Sequence, residues 1–220
     1  MELMKDTQLA ELYNEKLFLQ YARIGKCLSS ERRLQILNLL SNGSKSVENL
    51  AAETGMSVAN VSRHLQILLD ANLVQFRKQG KYVIYSLANP YVAEFLKSLW
   101  KISEHQLSDV PRLRENIHEH YEKVQTISKE EVLDRMGQGS LLVLDVRPRN
   151  EYETEHIEGA LSVPMEELDN YLEEAPQKME FAVYCRGPYC VYTMQAVDQM
   201  LKKGLKAYRI EEGIQEWHTS

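Results

Sequence analysis

Four apolar residues, Phe181-Ala182-Val183-Tyr184, run directly into Cys185-Arg186-Gly187-Pro188-Tyr189-Cys190, and a helical pattern starts at Val191. A short apolar strand that turns through a tight loop into a helix is one step of an alternating strand–helix chain. The flanking segments continue the alternation. Ser128 with Glu131 forms a capping box that opens a helix to Met136, and Leu141–Arg147 reads as a buried strand. His156–Pro164 reads as a turn with a short strand, and Met165–Leu172 as a helix. Val191–Lys203 is a helix closed by Gly204, and Ala207–Ile210 is a last strand. Strands and helices with short connections predict an α/β domain with a parallel sheet, its cysteine loop at the carboxyl end of a strand.

That position carries chemistry. Backbone N–H groups of the loop, and the positive end of the following helix, stabilise an anion. Cys185 is therefore expected to have a lowered pKa and to react as a thiolate. Cys190, at the other end of the loop, reads either as a resolving thiol or as a small residue opening the helix. Arg186, Gly187 and Tyr189 complete the expected cradle, although Pro188 removes one N–H from it. Asp145 and Arg147 read as structural residues that hold the strand end.

The first half follows a different pattern. Leu9, Tyr13, Leu17, Tyr21 and Ile24 fall on one helical face. Ser29 or Ser30 caps a second helix that stops at Asn42-Gly43, and Ser46 starts a third that ends at Thr54-Gly55. Ser57 caps a fourth, with Val58, Val61, Leu65 and Leu68 on its apolar side. Two helices joined by Thr54-Gly55-Met56-Ser57 make a helix-turn-helix. In the second, Ala59, Arg63, Gln66 and Asp70 point away from the apolar stripe, Asn60 and Ser62 flank them near the N-terminal end, and Ser57, Asn60, Ser62, Arg63 and Gln66 are the expected DNA-binding residues. Arg reads guanine and Asn or Gln reads adenine, whereas Ser and Lys mostly hold phosphates. Leu73–Phe76 and Tyr82–Tyr85 then alternate as two strands about Gln79-Gly80, with Arg77, Lys78 and Lys81 at the tip. After Pro90, Val92, Phe95, Leu96, Leu99 and Trp100 form an apolar stripe wide enough for a partner helix.

Charge separates the halves. Residues 26–90 carry eight Lys/Arg against four Asp/Glu, and residues 126–220 carry ten against eighteen. A basic unit joined to an acidic one is consistent with the first meeting a phosphate backbone. Three cysteines make no secreted disulfide framework, no apolar stretch reaches the length of a membrane span, and no signal peptide opens the chain. The expectation is a cytoplasmic protein without membrane association or cofactor. His118 with Glu122 is the best-spaced ligand pair in the helix that contains them, and no metal site is expected.

Residues 18–90, above all Ser57–Leu68 followed by Ala71-Asn72-Leu73-Val74, resemble the ArsR/SmtB family of winged helix-turn-helix regulators. The resemblance implies binding to a double-stranded operator, repression, and a homodimer built from the first and last helices. The cysteine pair common in metal-sensing members is absent from the third helix, Val47-Glu48-Asn49-Leu50-Ala51-Ala52. Residues 128–217 resemble the rhodanese family through Leu144–Arg147, Glu151-Tyr152, His156–Ala160, the Cys185 loop and Gly213–Trp217. That resemblance implies sulfur transfer, with Cys185 accepting sulfane sulfur from a small donor and passing it to an acceptor thiol. The loop's last position, often arginine in sulfurtransferases, is Cys190, which weighs against turnover of thiosulfate.

The expected organisation is an α+β winged helix-turn-helix domain (1–105), a linker (106–127) and an α/β rhodanese-like domain (128–220). The expected function is a DNA-binding regulator whose second domain senses or transfers sulfane sulfur. An active sulfurtransferase with an independent DNA-binding module, and a metal- or arsenite-responsive repressor, are the alternatives.

Overall fold

A computed structural model describes residues 2–188, 190–214 and 217, and the side chains of these from residue 8 onward. The chain divides into two units, residues 1–102 and 103–220.

In the first unit, α1 (Glu2–Leu28) and α2 (Glu31–Ser41) lead to a two-residue strand β1 (Lys45–Ser46). The helix-turn-helix follows as α3 (Val47–Thr54) and α4 (Val58–Asp70). Each has a serine N-cap: Ser46 Oγ accepts from the Asn49 amide at 3.2 Å and Ser57 Oγ from the Asn60 amide at 3.3 Å. β2 (Val74–Gln79) and β3 (Tyr82–Leu87) form an antiparallel hairpin with Gly80-Lys81 at its tip, and β1 pairs with β3. α5 (Pro90–Gln106) starts after the hairpin. The core joins Ile36, Leu37, Leu50, Val61, Leu65, Leu68 and Leu96, with Cys27 at its edge. Cys27 Sγ meets the Ile67 carbonyl at 3.7 Å, and Arg23 donates to the Asp70 carbonyl, so the end of α1 is tied to α4.

The expected apolar stripe of α5 is split. Val92 and Leu96 are buried in their own unit and Trp100 packs partly against it, whereas Phe95 and Ile102 face outward. Leu9, Tyr13, Phe18 and Tyr21 of α1 are also exposed.

The second unit begins earlier than the expected linker allows. Residues 106–127 are not a spacer: α6 (Asp109–His120) and β4 (Gln125–Ile127) lie in this unit, and β4 is hydrogen-bonded in parallel to the last strand. Pro111, in the first turn of α6, is tolerated because the leading N–H groups of a helix have no intrahelical acceptor. The fold continues through α7 (Lys129–Gly137), β5 (Leu141–Asp145), α8 (Arg149–Thr154), β6 (Leu161–Ser162), α9 (Leu168–Glu174), β7 (Glu180–Tyr184), α10 (Val191–Lys202) and β8 (Lys206–Ile210). The sheet is wholly parallel in the order β4-β8-β7-β5-β6. Its faces bury separate apolar clusters, one around Leu144, Phe181, Val197 and Met200, the other around Val132, Val143, Tyr184 and Ile214. Such a sheet collects its strands' carboxyl ends on one edge, and the cysteine loop leaves from there. No helix among the described residues is long and apolar enough to cross a membrane.

Candidate functional site

In the first unit, Ser57, Asn60, Ser62, Arg63 and Gln66 are all exposed on α4, and Arg77, Lys78 and Lys81 are exposed on the hairpin. Gln66 Nε2 donates to Asp70 Oδ1 at 2.9 Å, which orients its amide along the helix. Lys81 Nζ sits 5.2 Å from the Tyr82 ring centroid. His64, which sequence reasoning passed over, is half-buried beside Arg63. Burial lowers its pKa, and the charges of Arg33, Arg63 and Arg32 lower it further. The basic surface thus reaches back to α2.

In the second unit, Cys185 follows β7 and is fully buried, while Cys190 occupies the N-cap position of α10 and is half-buried. The two thiols are hydrogen-bonded to one another. Their charges divide against the expectation. Cys190 is pulled down to about 6, first by the hydrogen bond that Cys185 donates and then by the amides of Arg186 and Tyr192 and the Arg186 charge. Cys185 is pushed up, mainly by burial and then by its place beside the Cys190 anion. The pair holds one negative charge. That charge rests on the sulfur nearer the helix N-terminus, where amides solvate it at least desolvation cost.

The Arg186 amide serves the two sulfurs, while its side chain turns to Glu151. Its Nε donates to both Glu151 carboxylate oxygens at 3.1 Å and its Nη2 to Glu151 Oε1 at 2.5 Å. Glu151 also faces Arg147 at 3.9 Å, and Arg147 pairs with Asp145 at 2.6 Å. The network therefore contains two buried carboxylates and two guanidinium groups, charge-balanced as burial requires. Tyr184, next to Cys185, joins it. The Tyr184 hydroxyl hydrogen-bonds Asp145, accepts from the Ile157 amide at 3.1 Å, and is pushed far above its ordinary pKa by burial. Asp145 and Arg147 thus tie the end of β5 to the cysteine strand.

The loop's own amides are partly spent. The Cys190 N–H donates to the Gly187 carbonyl at 3.0 Å, and Pro188 has none. Gly187 turns the loop at φ 115°. Tyr189 lies outside the described residues. Arg209 on β8 is fully buried, donates from Nη2 to the Pro188 carbonyl at 3.1 Å, and leaves Nε without a partner among the described residues. Gly213 closes the loop from below. A Cβ there would stand 2.8 Å from both the Arg186 carbonyl carbon and the Gly187 nitrogen. Glu151, Arg209 and Gly213 were not among the expected site residues. A charged residue within the apolar strand Ala207–Ile210 was the visible signal for Arg209.

A cleft of about 220 Å³ lies beside the loop, with Val110, Leu113 and Ile117 of α6 on one side and Cys190, Val191 and Met194 on the other. Among the described residues, no three His, Cys, Asp or Glu side chains gather as a metal-ligand set.

Two family models match the chain, the bacterial regulatory protein arsR family over residues 30–75 and the rhodanese-like domain over residues 128–220. The HTH-type transcriptional regulator Rv0324 of Mycobacterium tuberculosis is 36% identical over 201 residues, covering 91% of this chain and 88% of its own. The arsenical resistance operon repressor of Escherichia coli K12 is 33% identical over 100 residues, covering 43% of this chain and 85% of its own. Among solved structures, the homodimeric winged helix-turn-helix DNA-binding domain (fragment 1–100) of Mb0332 from Mycobacterium bovis is 37% identical. It covers 43% of this chain and 88% of its own, with a TM-score of 0.41.

Proposed function

We propose, since the chain belongs to the arsR family of bacterial regulatory proteins and ends in a rhodanese-like domain, that it is a sulfur-responsive transcriptional repressor. In this reading sulfane sulfur reacts at the Cys185–Cys190 pair, and the change alters the affinity of the first unit for its operator. The observation that carries the reading is the presence in one chain of an exposed recognition helix with a basic hairpin and a hydrogen-bonded dithiol holding a single anion. Ser57, Asn60, Ser62, Arg63 and Gln66 face the bases and nearby phosphates, and Arg77, Lys78 and Lys81 face phosphate. The working form is a homodimer. The exposed apolar residues Leu9, Tyr13, Phe18 and Tyr21 of α1 and Phe95 and Ile102 of α5 support that form, because a solitary chain leaves them in water.

The test is duplex binding by fluorescence anisotropy at constant salt, before and after glutathione persulfide, with intact mass recorded on each sample. A mass change accompanied by a change in DNA affinity, both abolished when Cys185 and Cys190 are replaced together by Ser, is expected. A mass change with unaltered affinity would refute the switch. Steady multiple turnover with thiosulfate, indifferent to DNA, would establish the sulfurtransferase alternative instead. The diversion of Arg186 to Glu151 and the spent Cys190 amide weigh against that alternative.

A further inference from the structure

Cys185 and Cys190 differ in access. Cys190 lines the cleft, whereas Cys185 is packed in the core with Val146, Val183 and Ala196. A molecule in the cleft meets Cys190 first.

The walls then define what enters. Val110, Leu113 and Ile117 face Val191 and Met194, so most of the lining is apolar. The guanidinium charges nearby already face carboxylates, although Arg209 Nε has no hydrogen-bond partner among the described residues: Arg114 pairs with Glu104 at 2.6 Å and Glu211 at 3.2 Å, and Arg209 lies 3.6 Å from Glu211. A dianion such as thiosulfate would find a charge-balanced rim, a loop with one amide missing and one spent, and a thiolate of its own sign. Burying it there would cost far more than burying a neutral body. A cleft of about 220 Å³ suits two short alkyl groups about a few sulfurs and leaves most of a tripeptide thiol outside it. The α6 wall, residues 109–120, lies between the two family-model matches.

We propose that the cleft binds a small, neutral dialkyl polysulfide, such as a trisulfide, and that Cys190 is the thiol that reacts first, with Cys185 resolving. The proposal rests on the sulfur-responsive reading and names its substrate class. The Cys190 thiolate attacks a terminal sulfur of R–S–S–S–R. The adjacent S–S bond breaks, Cys190–S–S–R forms, and R–S–S⁻ leaves and takes a proton from solvent. Cys185 then attacks the Cys190 sulfur and loses its proton to the departing R–S⁻. The products are a Cys185–Cys190 disulfide, one R–S–SH and one R–SH. The two thiols are oxidised by two electrons and the trisulfide is reduced by two. The released hydropersulfide carries mobile sulfur onward.

The experiment treats the reduced full-length protein, under anaerobic conditions, with diallyl trisulfide and with glutathione trisulfide. Acid-quenched samples are read by intact mass and peptide mapping, and DNA affinity is measured in parallel. Diallyl trisulfide is expected to react at least about tenfold faster than the charged, larger glutathione trisulfide. Cys185→Ser should trap an allylthio adduct on Cys190, and Cys190→Ser should react slowly or not at all. Leu113 is 65% exposed, so Leu113→Glu spares the core while placing a carboxylate at the cleft. It should collapse the ratio of the two rate constants toward one, and the ratio cancels any change in thiolate fraction. A wild-type ratio near one, or loading of Cys185 at full rate in Cys190→Ser, overturns the assignment. With a ratio near one and DNA affinity still responsive, the cleft assignment falls and the switch stands. With the ratio high and DNA affinity unmoved, the cleft assignment stands and the switch falls.

Discussion

Removing the Cys185 thiol should change how Cys190 titrates, and the size of the change follows from the geometry. Cys190 is held at about 6, and the largest cause is the hydrogen bond from Cys185. At pH 7 such a group is ~90% ionised, against ~3% for an ordinary thiol near 8.5. A hydrogen bond to a charged acceptor contributes about 1.5–3 kcal/mol, and one pH unit corresponds to about 1.4 kcal/mol. Cys185→Ala should therefore raise the Cys190 midpoint by about one to two pH units, to between ~7 and ~8. The assay is thiolate absorbance near 240 nm against pH. Alkylation rate is a poorer reporter, because a more basic thiolate is also a better nucleophile and offsets part of the lost ionisation. Cys27 does not interfere, since burial pushes its thiol up. Cys190→Ser is the companion: burial leaves Cys185 protonated through neutral pH, so no transition should remain below pH 9. A Cys185→Ala midpoint that stays at 6 would refute the hydrogen-bond argument and assign the anion to the helix end and loop amides alone. A transition near 6 in Cys190→Ser would reverse the roles of the two thiols.

Four further outcomes are expected. Gly213→Ala should move the loop, because its Cβ would meet backbone at 2.8 Å; a cost of about 1–3 kcal/mol in urea unfolding and a Cys190 midpoint nearer an ordinary thiol are expected. Glu151→Gln leaves Arg147 and Arg186 with one carboxylate fewer and should cost about 3–5 kcal/mol, with most of it recovered when Arg186→Met is added; full stability in the single variant would count against the network. Folded Cys190 gives up its proton at about 6, whereas an ordinary thiol keeps it to about 8.5. Stability from this group therefore grows as pH rises from about 6 to about 8.5 and is lost as pH falls through 6, and calorimetry should find that increment missing in Cys190→Ser. Arg77→Ala and Lys81→Ala should weaken binding to any duplex and each lower the salt slope by about one, while unaltered slopes would remove the hairpin from the interface.

Features of the site that depend on neighbouring residues were legible in sequence, and those that depend on distant partners were not. The serine caps of α3, α4 and α7 are set by a side chain and an amide three residues on, so Ser46, Ser57 and Ser128 announce them. The strand–loop–helix around Cys185 was equally plain, as was the parallel sheet. α6 and β4 were missed as parts of the second unit, because a narrow stripe in a polar segment does not say what it packs against. β4 acquires its role only by pairing with β8, some eighty residues away. The direction of Arg186 depended on Glu151, thirty-five residues earlier. The charge division between the cysteines depended on burial, which no spacing reveals: both lie in the same loop, but only one lies under the core.

That division bears on how a sulfur signal would travel. Joining the two sulfurs removes one negative charge from the end of α10, beside the amides and the guanidinium that stabilise it. Arg209 is buried beside the charges of Glu211, Arg114 and Cys190, and Arg114 pairs with Glu104 and Glu211. Arg114 sits on α6, and α6 follows α5 after only Leu107-Ser108, while Val92 and Leu96 of α5 belong to the core of the first unit. In the proposed reading the loop need not turn over to act: a single reaction that deletes one charge is the signal, and a second cysteine in place of a cradle arginine suits that role better than steady-state transfer.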